Sequence, residues 1–188
     1  MPNDIDKYVV MELSKLADFI FTHTETMRVN AEIIFNREVT NHGFGTDNLI
    51  NIADTNTPIP KDNYTFEFLG NVRDYKNIEF LMKSFCDIKE SISSINLVII
   101  GPDYNNYLKD LLNKYDDYAS KNIHIINGFI SDPIPYINKM DICICCYNLT
   151  FPQFQYGFYP SSIANLGKMG KPLICPHCDS VLYIIEQR

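Results

Sequence analysis

The chain has 188 residues, of which 46% are hydrophobic and 21% are charged. This length and composition are typical of a globular chain with one well-formed core and an additional segment, and they exclude a disordered protein. The net charge of −7 argues against a nucleic acid bound through a broad basic face. The longest apolar runs are too short to cross a bilayer and the N-terminus has no secretory pattern, so we expect a cytoplasmic protein.

The first third of the sequence predicts a helix, a strand and a second helix. Apolar residues at helical spacing run from Val9 to Ala17, a strand follows over residues 19–22, and residues 25–35 suit another helix. One such piece cannot bury a core by itself. We therefore interpret residues 1–50 as the remnant of a preceding Rossmann-like domain with its hinge. Residues 51–62 are polar, contain prolines and lack periodicity, which is typical of a linker.

From residue 63 onward, apolar runs of strand length alternate with segments of helical period. The predicted strands cover residues 65–69, 95–100, 123–126, 142–147 and 172–175. The predicted helices cover residues 78–88, 104–115 and 135–140 and the segment after Pro160. This alternation predicts a doubly wound α/β sheet of parallel strands, in which ligands bind beyond the carboxyl ends of the strands. The C-terminal domain, residues 63–188, is expected to be incomplete because a further helix begins where the sequence ends.

The six cysteines favour a structural interpretation. Five of them lie on or beside predicted buried strands, where free cysteine behaves as a small hydrophobe. Cys175-Pro-His-Cys178 is similar to a redox motif, but only ten residues follow it, too few for a thioredoxin-like fold. A zinc site built from Cys175, His177, Cys178 and a cysteine within residues 143–146 would lack a second spaced pair. We expect no metal.

The segment after Pro160 predicts a helix whose first turn can hold an anion. Proline suits that turn because it lacks the N–H group that would be unpaired there, and Ser161 and Ser162 leave the backbone open. The free N–H groups of such a helix start and the positive end of its dipole attract phosphate.

Four blocks in a fixed order resemble the C-terminal half of the GT-B glycosyltransferases of group 1, the retaining family often called family four. They are FLGNVRDYKNIEFLMKSF, INLVIIGPD, NIHIINGFISDPIPYINKMD and YPSSIANLGKMGKPLIC, which together span roughly residues 66–175. The stretch NHGFGTDN before them resembles the end of the N-terminal half and the hinge. The resemblance implies the α/β, Rossmann-like donor-binding half of a GT-B fold, with an incomplete N-terminal β-α appendage.

The same resemblance implies transfer of a sugar from a nucleoside diphosphate sugar to an acceptor, a glycan or a lipid-linked molecule. The acceptor would be held by an N-terminal half, to which any peripheral membrane contact is also assigned. The chain alone is then expected to be an inactive part of a retaining hexosyltransferase. The donor is a substrate, and neither a cofactor nor a metal is expected.

The resemblance assigns the donor diphosphate to three places. Gly70 ends the first strand of the domain, where a side chain would crowd a diphosphate. Arg73 and Lys76 would stabilise the leaving phosphate as cations. Ser161 and Ser162 match the helix-start positions that offer backbone N–H groups to the diphosphate.

The residues that would contact the nucleotide base and the sugar form a weaker sequence pattern. No catalytic residue is assigned. Phe129 and Ile130 fall where the family's loop lies against the nucleotide base, although both equally suit the core or its rim. Relatives carry two glutamates eight positions apart, which fall near Gly157 and on Asn165 in this sequence. Asn165 can hydrogen-bond a ribose hydroxyl but supplies no charge. Another departure is Asn71, which stands where relatives often have arginine.

Two interpretations therefore compete at the level of the sequence. The first is the donor-binding half of a glycosyltransferase. The second is a non-catalytic nucleotide-sugar-binding or partner-binding relative that has lost the acidic pair. The aromatic-rich loop over residues 147–159 fits either, because it can cover a sugar face or pack against another domain.

Overall fold

The computed structural model describes residues 4–43, 57–60, 63–114, 122–151, 154, 157 and 161–177. The chain forms two compact units. The first unit consists of Met1–Thr46, Leu149–Ser161 and His177–Arg188, and the second consists of Asp47–Asn148 and Ser162–Pro176. Most of the predicted linker, residues 51–62, lies outside the described residues, and the domain boundaries given above stay predictions.

The first unit contains two helices and two short strands in its described part. These are α1 (Asp4–Leu16), β1 (Phe21–Thr22), α2 (Glu25–Phe35) and β2 (Thr40–Asn41). Strands β1 and β2 are parallel, with Phe21 opposite Thr40. The helices and the first strand were predicted, whereas β2 was not, because two polar residues carry no strand pattern.

Thr24 fixes the start of α2 and links it to Gly157 of the same unit. Its side-chain oxygen accepts a hydrogen bond from the Met27 N–H at 3.1 Å, as an N-cap residue does. The same hydroxyl donates to the Gly157 carbonyl at 3.0 Å. Gly157 has a φ of +83°, and a Cβ added there would lie 2.7 Å from the Thr26 Cβ. The first unit thus needs a glycine at this position.

The second unit is built on a parallel sheet. Its strands are β3 (Tyr64–Leu69), β4 (Ile95–Gly101), β5 (Ile123–Asn127), β6 (Ile142–Ile144) and β7 (Leu173–Ile174). Its helices in the described part are α3 (Ile78–Ser91), α4 (Tyr107–Lys114), α5 (Ile134–Lys139) and α6 (Ser161–Lys168), whose first residue belongs to the first unit. The described strands pair in the order β5-β4-β3-β6-β7, and all these pairs are parallel. The predicted α/β fold with a doubly wound parallel sheet is confirmed.

The core of this unit lies on both faces of β4, every residue of which is buried. On one face, Phe68, Leu97 and Ile99 pack against the apolar side of α3. On the other face, Val98 and Ile100 belong to a second apolar cluster. A continuous apolar strand of this kind is typical of a parallel sheet covered on both sides.

The carboxyl edge of the sheet is shaped by glycines at the ends of its central strands. Gly70, Gly101 and Gly128 follow or end β3, β4 and β5 with φ values of +148°, +144° and +140°. A Cβ at Gly101 would lie 2.0 Å from the Gly70 carbonyl oxygen, so the two strand ends approach more closely than any side chain allows. Among the described residues, no helix is long and apolar enough to cross a membrane.

Candidate functional site

Three elements of the second unit meet at the carboxyl edge of the sheet. Lys76 ends a short 3₁₀ turn, Asp74–Lys76, that follows β3. Tyr147 lies after β6, and Ser162 lies in the first turn of α6. Strand β6 ends earlier than predicted, at residue 144 rather than 147. The chain instead turns so that the Asn148 N–H donates to the Tyr75 carbonyl at 2.8 Å, and this turn brings Tyr147 to Lys76.

These elements form a polar cluster of Lys76, Tyr147, Ser162 and Cys145, called the Lys76 cluster below. The Lys76 ammonium donates a hydrogen bond to the Tyr147 hydroxyl oxygen at 2.9 Å and lies 4.1 Å from the centre of the Tyr147 ring. The Tyr147 and Ser162 hydroxyl oxygens are 3.1 Å apart. The Cys145 thiol is 3.5 Å from the Ser162 hydroxyl oxygen.

The electrostatics of the Lys76 cluster favour an anionic ligand. Burial lowers the pKa of Lys76 to about 8, so its ammonium stays charged below that pH. Burial also raises the pKa of Cys145 to about 11 and the pKa of Tyr147 further, so neither supplies a negative charge near neutral pH. Within the described part of the chain, no carboxylate forms an ion pair with Lys76. A partly buried cation that forms no ion pair with the described carboxylates is suited to a phosphate.

The first turn of α6 leaves room beside this cation. Ser161 is exposed, and Ser162 is partly buried. The first turn contains no acidic residue that would compete for its N–H groups. The diphosphate site at this helix start stays a prediction.

The remaining residues predicted to bind the diphosphate and ribose lie around the same edge. A Cβ at Gly70 would have only the Phe68 ring within 4 Å, at 3.9 Å, so the space in front of this glycine is open. The Arg73 guanidinium lies 6.0 Å from the centre of the Tyr104 ring. Asn165 is exposed on α6, one turn after Ser161. The structure thus brings Lys76 and Ser162 together but directs Arg73 toward an aromatic ring.

The two residues predicted to lie against the base differ in their surroundings. Phe129 is 81% exposed, whereas Ile130 packs against the apolar cluster that contains Val98 and Ile100. Phe129 is therefore available to a ligand, and Ile130 serves the core.

Where the resemblance implies the first glutamate, the chain has a glycine whose backbone is in close contact with its neighbours. Gly157, near which that glutamate falls, has no space for a Cβ beside Thr26, and its carbonyl accepts a hydrogen bond from the Thr24 hydroxyl. Gln153 and Gln155 of the same loop, which could orient a sugar, lie outside the described residues.

Lys171 of the Gly-Lys-Pro sequence has a structural role that sequence analysis did not identify. Its ammonium donates hydrogen bonds to the Asn138 and Met140 carbonyls at 2.9 and 2.7 Å, at the carboxyl end of α5. A cation at this end of a helix satisfies unpaired carbonyls and complements the dipole. The only signal in the sequence was a lysine two residues before a strand, which does not distinguish this role from ligand binding.

A second feature missed by sequence analysis is the burial of Glu67 in the middle of β3. Its side chain is fully buried, and one carboxyl oxygen has no hydrogen-bond partner. The other oxygen is 3.5 Å from the Cys143 thiol, which donates to it. Burial raises the pKa of Glu67 to about 7, and the hydrogen bond from Cys143 and the charge of Lys171 oppose this effect only in part. The signal in the sequence was a single charged residue, Glu67, between Phe66 and Phe68 in an otherwise apolar strand.

An apolar cavity of about 350 Å³ lies beside the Lys76 cluster, between α3 and the end of β6. Phe80, Phe85, Ile144 and Tyr147 are among its lining residues, and none of the lining residues is charged. This lining does not suit a diphosphate, although Cys145 and Tyr147 of the Lys76 cluster also line the cavity.

None of the described cysteines forms a disulfide bond. Among the residues that the structure describes, no group of three His, Cys, Asp or Glu side chains is placed to hold a metal ion. Cys178, the second cysteine of the Cys-Pro-His-Cys sequence, is outside them.

Solved structures with a similar fold include glycosyltransferases. Anabaena HepE, in a complex with UDP and glucose, matches with a TM-score of 0.70 and 13% identity over 97% of this chain and 50% of its own. The pneumococcal O-GlcNAc transferase GtfA, in a complex with UDP and GlcNAc, matches with a TM-score of 0.58 and 11% identity over 90% of this chain and 32% of its own. WaaG, a glycosyltransferase of lipopolysaccharide biosynthesis, matches with a TM-score of 0.51 and 15% identity over 68% of this chain and 32% of its own.

The chain thus spans between 32% and 50% of the length of these three proteins. Comparison with curated proteins gave no match. The model of the family "Glycosyl transferases group 1" matches residues 51–186, which is most of the sequence. With the parallel sheet and the structural neighbours, this match shows that the chain belongs to the group 1 glycosyltransferase family and has the fold of a GT-B C-terminal half.

Proposed function

We propose that this chain is the donor-binding half of a retaining glycosyltransferase and that it binds a nucleoside diphosphate sugar at the carboxyl edge of its sheet. The observation that carries the proposal is the partly buried Lys76 ammonium, which forms no ion pair with a carboxylate of the described residues and lies in one hydrogen-bonded cluster with Ser162 at the start of α6. The acceptor would be bound by an N-terminal half.

The chemistry of retaining transfer explains why this arrangement is useful. The glycosidic bond to the diphosphate breaks through a transition state with positive charge on the sugar and growing negative charge on the leaving group. A fixed cation and unpaired N–H groups stabilise that negative charge most strongly where water is partly excluded. Lys76 and the first turn of α6 supply these two elements. Gly70 leaves the space for the phosphates, and exposed Asn165 and Phe129 are assigned to the ribose and the base.

The first probe is UDP, because HepE and GtfA were solved in complexes with it. Isothermal titration calorimetry of the whole chain with UDP at pH 7 is expected to give saturable binding. Lys76→Met is expected to weaken this binding about tenfold or more, since a hydrogen bond to a charged group is lost. The matched control is Lys83→Met, which removes an exposed lysine of α3.

The pH dependence gives a second reading of the same experiment. Because the pKa of Lys76 is lowered to about 8, the ammonium deprotonates as the pH rises through that value. UDP affinity should therefore be highest below pH 8 and fall between pH 8 and 9, and Lys76→Met should remove this fall. No UDP binding, or equal binding by Lys76→Met, would contradict the proposal.

A second candidate, a non-catalytic nucleotide-sugar-binding relative, is favoured by Gly157 and Asn165. Gly157 has no room for a side chain, and Asn165 carries no charge, so both carboxylates that the resemblance implies are missing. Joining this chain to the N-terminal half of a group 1 relative distinguishes the candidates. Sugar transfer or UDP-glucose hydrolysis supports the enzyme, particularly if Asn165→Glu increases turnover. UDP-glucose binding with neither reaction supports the non-catalytic relative.

A further inference from the structure

We infer that Tyr147 is a positioning residue that links the charge of Lys76 to the hydroxyl of Ser162, so that Ser162 donates a hydrogen bond to a phosphoryl oxygen. This inference rests on the proposed function, since it assigns a new residue to the same diphosphate site. The resemblance to the family assigned Lys76 and Ser162 but gave Tyr147 no role at the diphosphate.

The direction of the hydrogen bond between Lys76 and Tyr147 follows from their chemistry, and the inference adds a direction for the contact between Tyr147 and Ser162. An ammonium can only donate, so the Tyr147 oxygen accepts from Lys76 at 2.9 Å. We assign the Tyr147 O–H as the donor to the Ser162 oxygen, 3.1 Å away. A Ser162 hydroxyl that accepts from Tyr147 still has its own hydrogen, which can point to a ligand. A cation at one end of such a chain polarises each following donor.

Two properties of Tyr147 keep it in this role. Its side chain is only 6% exposed, so packing holds the ring and the hydroxyl in place. Burial also raises the pKa of its phenol, which therefore remains a proton donor instead of becoming a negative partner for Lys76. A phenolate would neutralise the cation that the phosphate requires.

The ring and the hydroxyl of Tyr147 make separable contributions. The ring lies under the ammonium, with 4.1 Å between Lys76 Nζ and the ring centre, and phenylalanine would preserve this cation–π contact. Phenylalanine lacks the oxygen that accepts from Lys76 and the proton that reaches Ser162. Tyr147→Phe therefore removes the link and keeps the packing.

The test measures UDP binding by calorimetry with the whole chain at pH 7. Tyr147→Phe is expected to weaken binding about fivefold to tenfold, since one charge-assisted hydrogen bond is lost. The matched control is Tyr64→Phe, which removes a hydroxyl from a half-exposed tyrosine at the start of β3, the opposite end of the strand. This control is expected to bind UDP as the unsubstituted chain does.

The pH profile separates positioning from packing. The Tyr147 oxygen stabilises the charged form of Lys76, so its removal should lower the pKa of that lysine further. In Tyr147→Phe, UDP affinity is expected to begin its fall at a lower pH than in the unsubstituted chain. A variant that is merely less stable would bind less at every pH without moving this transition.

A double-mutant cycle tests the link with Tyr147 in place. If Tyr147 connects the two ends, Lys76→Met and Ser162→Ala together should weaken UDP binding less than the product of their separate effects. Multiplicative effects would overturn the inference. The cycle also decides the matter if Tyr147→Phe fails to fold.

The remaining outcomes distinguish this inference from the proposed function. If the unsubstituted chain binds no UDP, both are overturned. If it binds UDP and Tyr147→Phe binds within twofold with an unchanged pH profile, only the role of Tyr147 is overturned, and the assignment of Lys76 to the diphosphate stands on its own variant.

Discussion

Each of the two units of this chain is stabilised by a different kind of internal interaction. In the second unit all seven residues of β4 are buried, and apolar clusters cover the sheet on both faces. In the first unit α2 has no buried residue, and Leu16, Phe19 and Ile33 are 81%, 76% and 74% exposed. Burial of apolar area dominates stability. The sheet unit should therefore determine the free energy of unfolding, whereas capping and short strand pairing maintain the first unit.

Gly101→Ala is expected to have the largest effect, and it tests how the second unit's sheet contributes to stability. A Cβ would lie 2.0 Å from the Gly70 carbonyl oxygen and would also require an unfavourable φ of +144°. We expect a loss of about 4 kcal/mol in the free energy of unfolding, measured by urea denaturation. Gly128→Ala is the matched control, because φ is +140° there but nothing lies within 4 Å of the added Cβ. Its expected loss is about 1 to 2 kcal/mol, from backbone strain alone. Equal losses would show that the close approach of the two strand ends is unimportant.

The second test uses the buried carboxyl of Glu67 and the pH dependence of stability. Its pKa is raised from 4.5 to about 7 by burial, so the folded chain holds a proton there that the unfolded chain releases. The stabilisation from this proton is fully present below pH 4.5 and is lost as the pH rises to about 7. The loss amounts to up to about 3 kcal/mol. Glu67→Gln should remove this part of the pH dependence in urea denaturation between pH 4.5 and 8.

Glu90→Gln is the control for this measurement, because it removes an exposed carboxyl of α3. It should retain the pH dependence of the unsubstituted chain. If Glu67→Gln retained it as well, Glu67 would be charged in the folded protein across this range, and a partner for its free oxygen would have to exist.

The smallest expected effect lies in the first unit, at the cap of α2. Thr24→Ala removes the hydroxyl that accepts from Met27 and donates to Gly157, which costs about 1 kcal/mol of local stability. Hydrogen exchange of the α2 amides should become about fivefold faster. Thr24→Ser keeps the hydroxyl and should exchange at the original rate. Unchanged exchange in Thr24→Ala would show that α2 depends on other contacts.

Sequence patterns predicted which helices and strands form more accurately than they predicted where the strands end. Helix α2 and helix α3 begin where predicted, because capping residues and apolar spacing act locally. The short strand Thr40–Asn41 was missed, since its two polar residues become a strand only through pairing with Phe21 and Thr22. Strand β6 was predicted too long, because the apolar run over residues 142–147 continues after the chain has turned away from the sheet.

For the candidate site as well, some features were predicted from the sequence and others were not. Lys76 and Ser162 were predicted from a family pattern, and the structure places both in one cluster. Arg73 was predicted with them, but its guanidinium lies over Tyr104. A pattern of residues along the chain cannot report the direction of a long side chain, which depends on the neighbours that fold against it.

The sequence by itself determined the class of this protein: a parallel α/β sheet and membership of the group 1 glycosyltransferases. These follow from apolar periodicity and ordered blocks of residues, which the chain carries whether or not it is folded. Only the tertiary structure decided that Lys76, Tyr147 and Ser162 meet, across 71 and 15 positions of sequence. Such a meeting depends on strand order and on the point where a strand ends, and both are set by packing of the whole sheet rather than by local sequence.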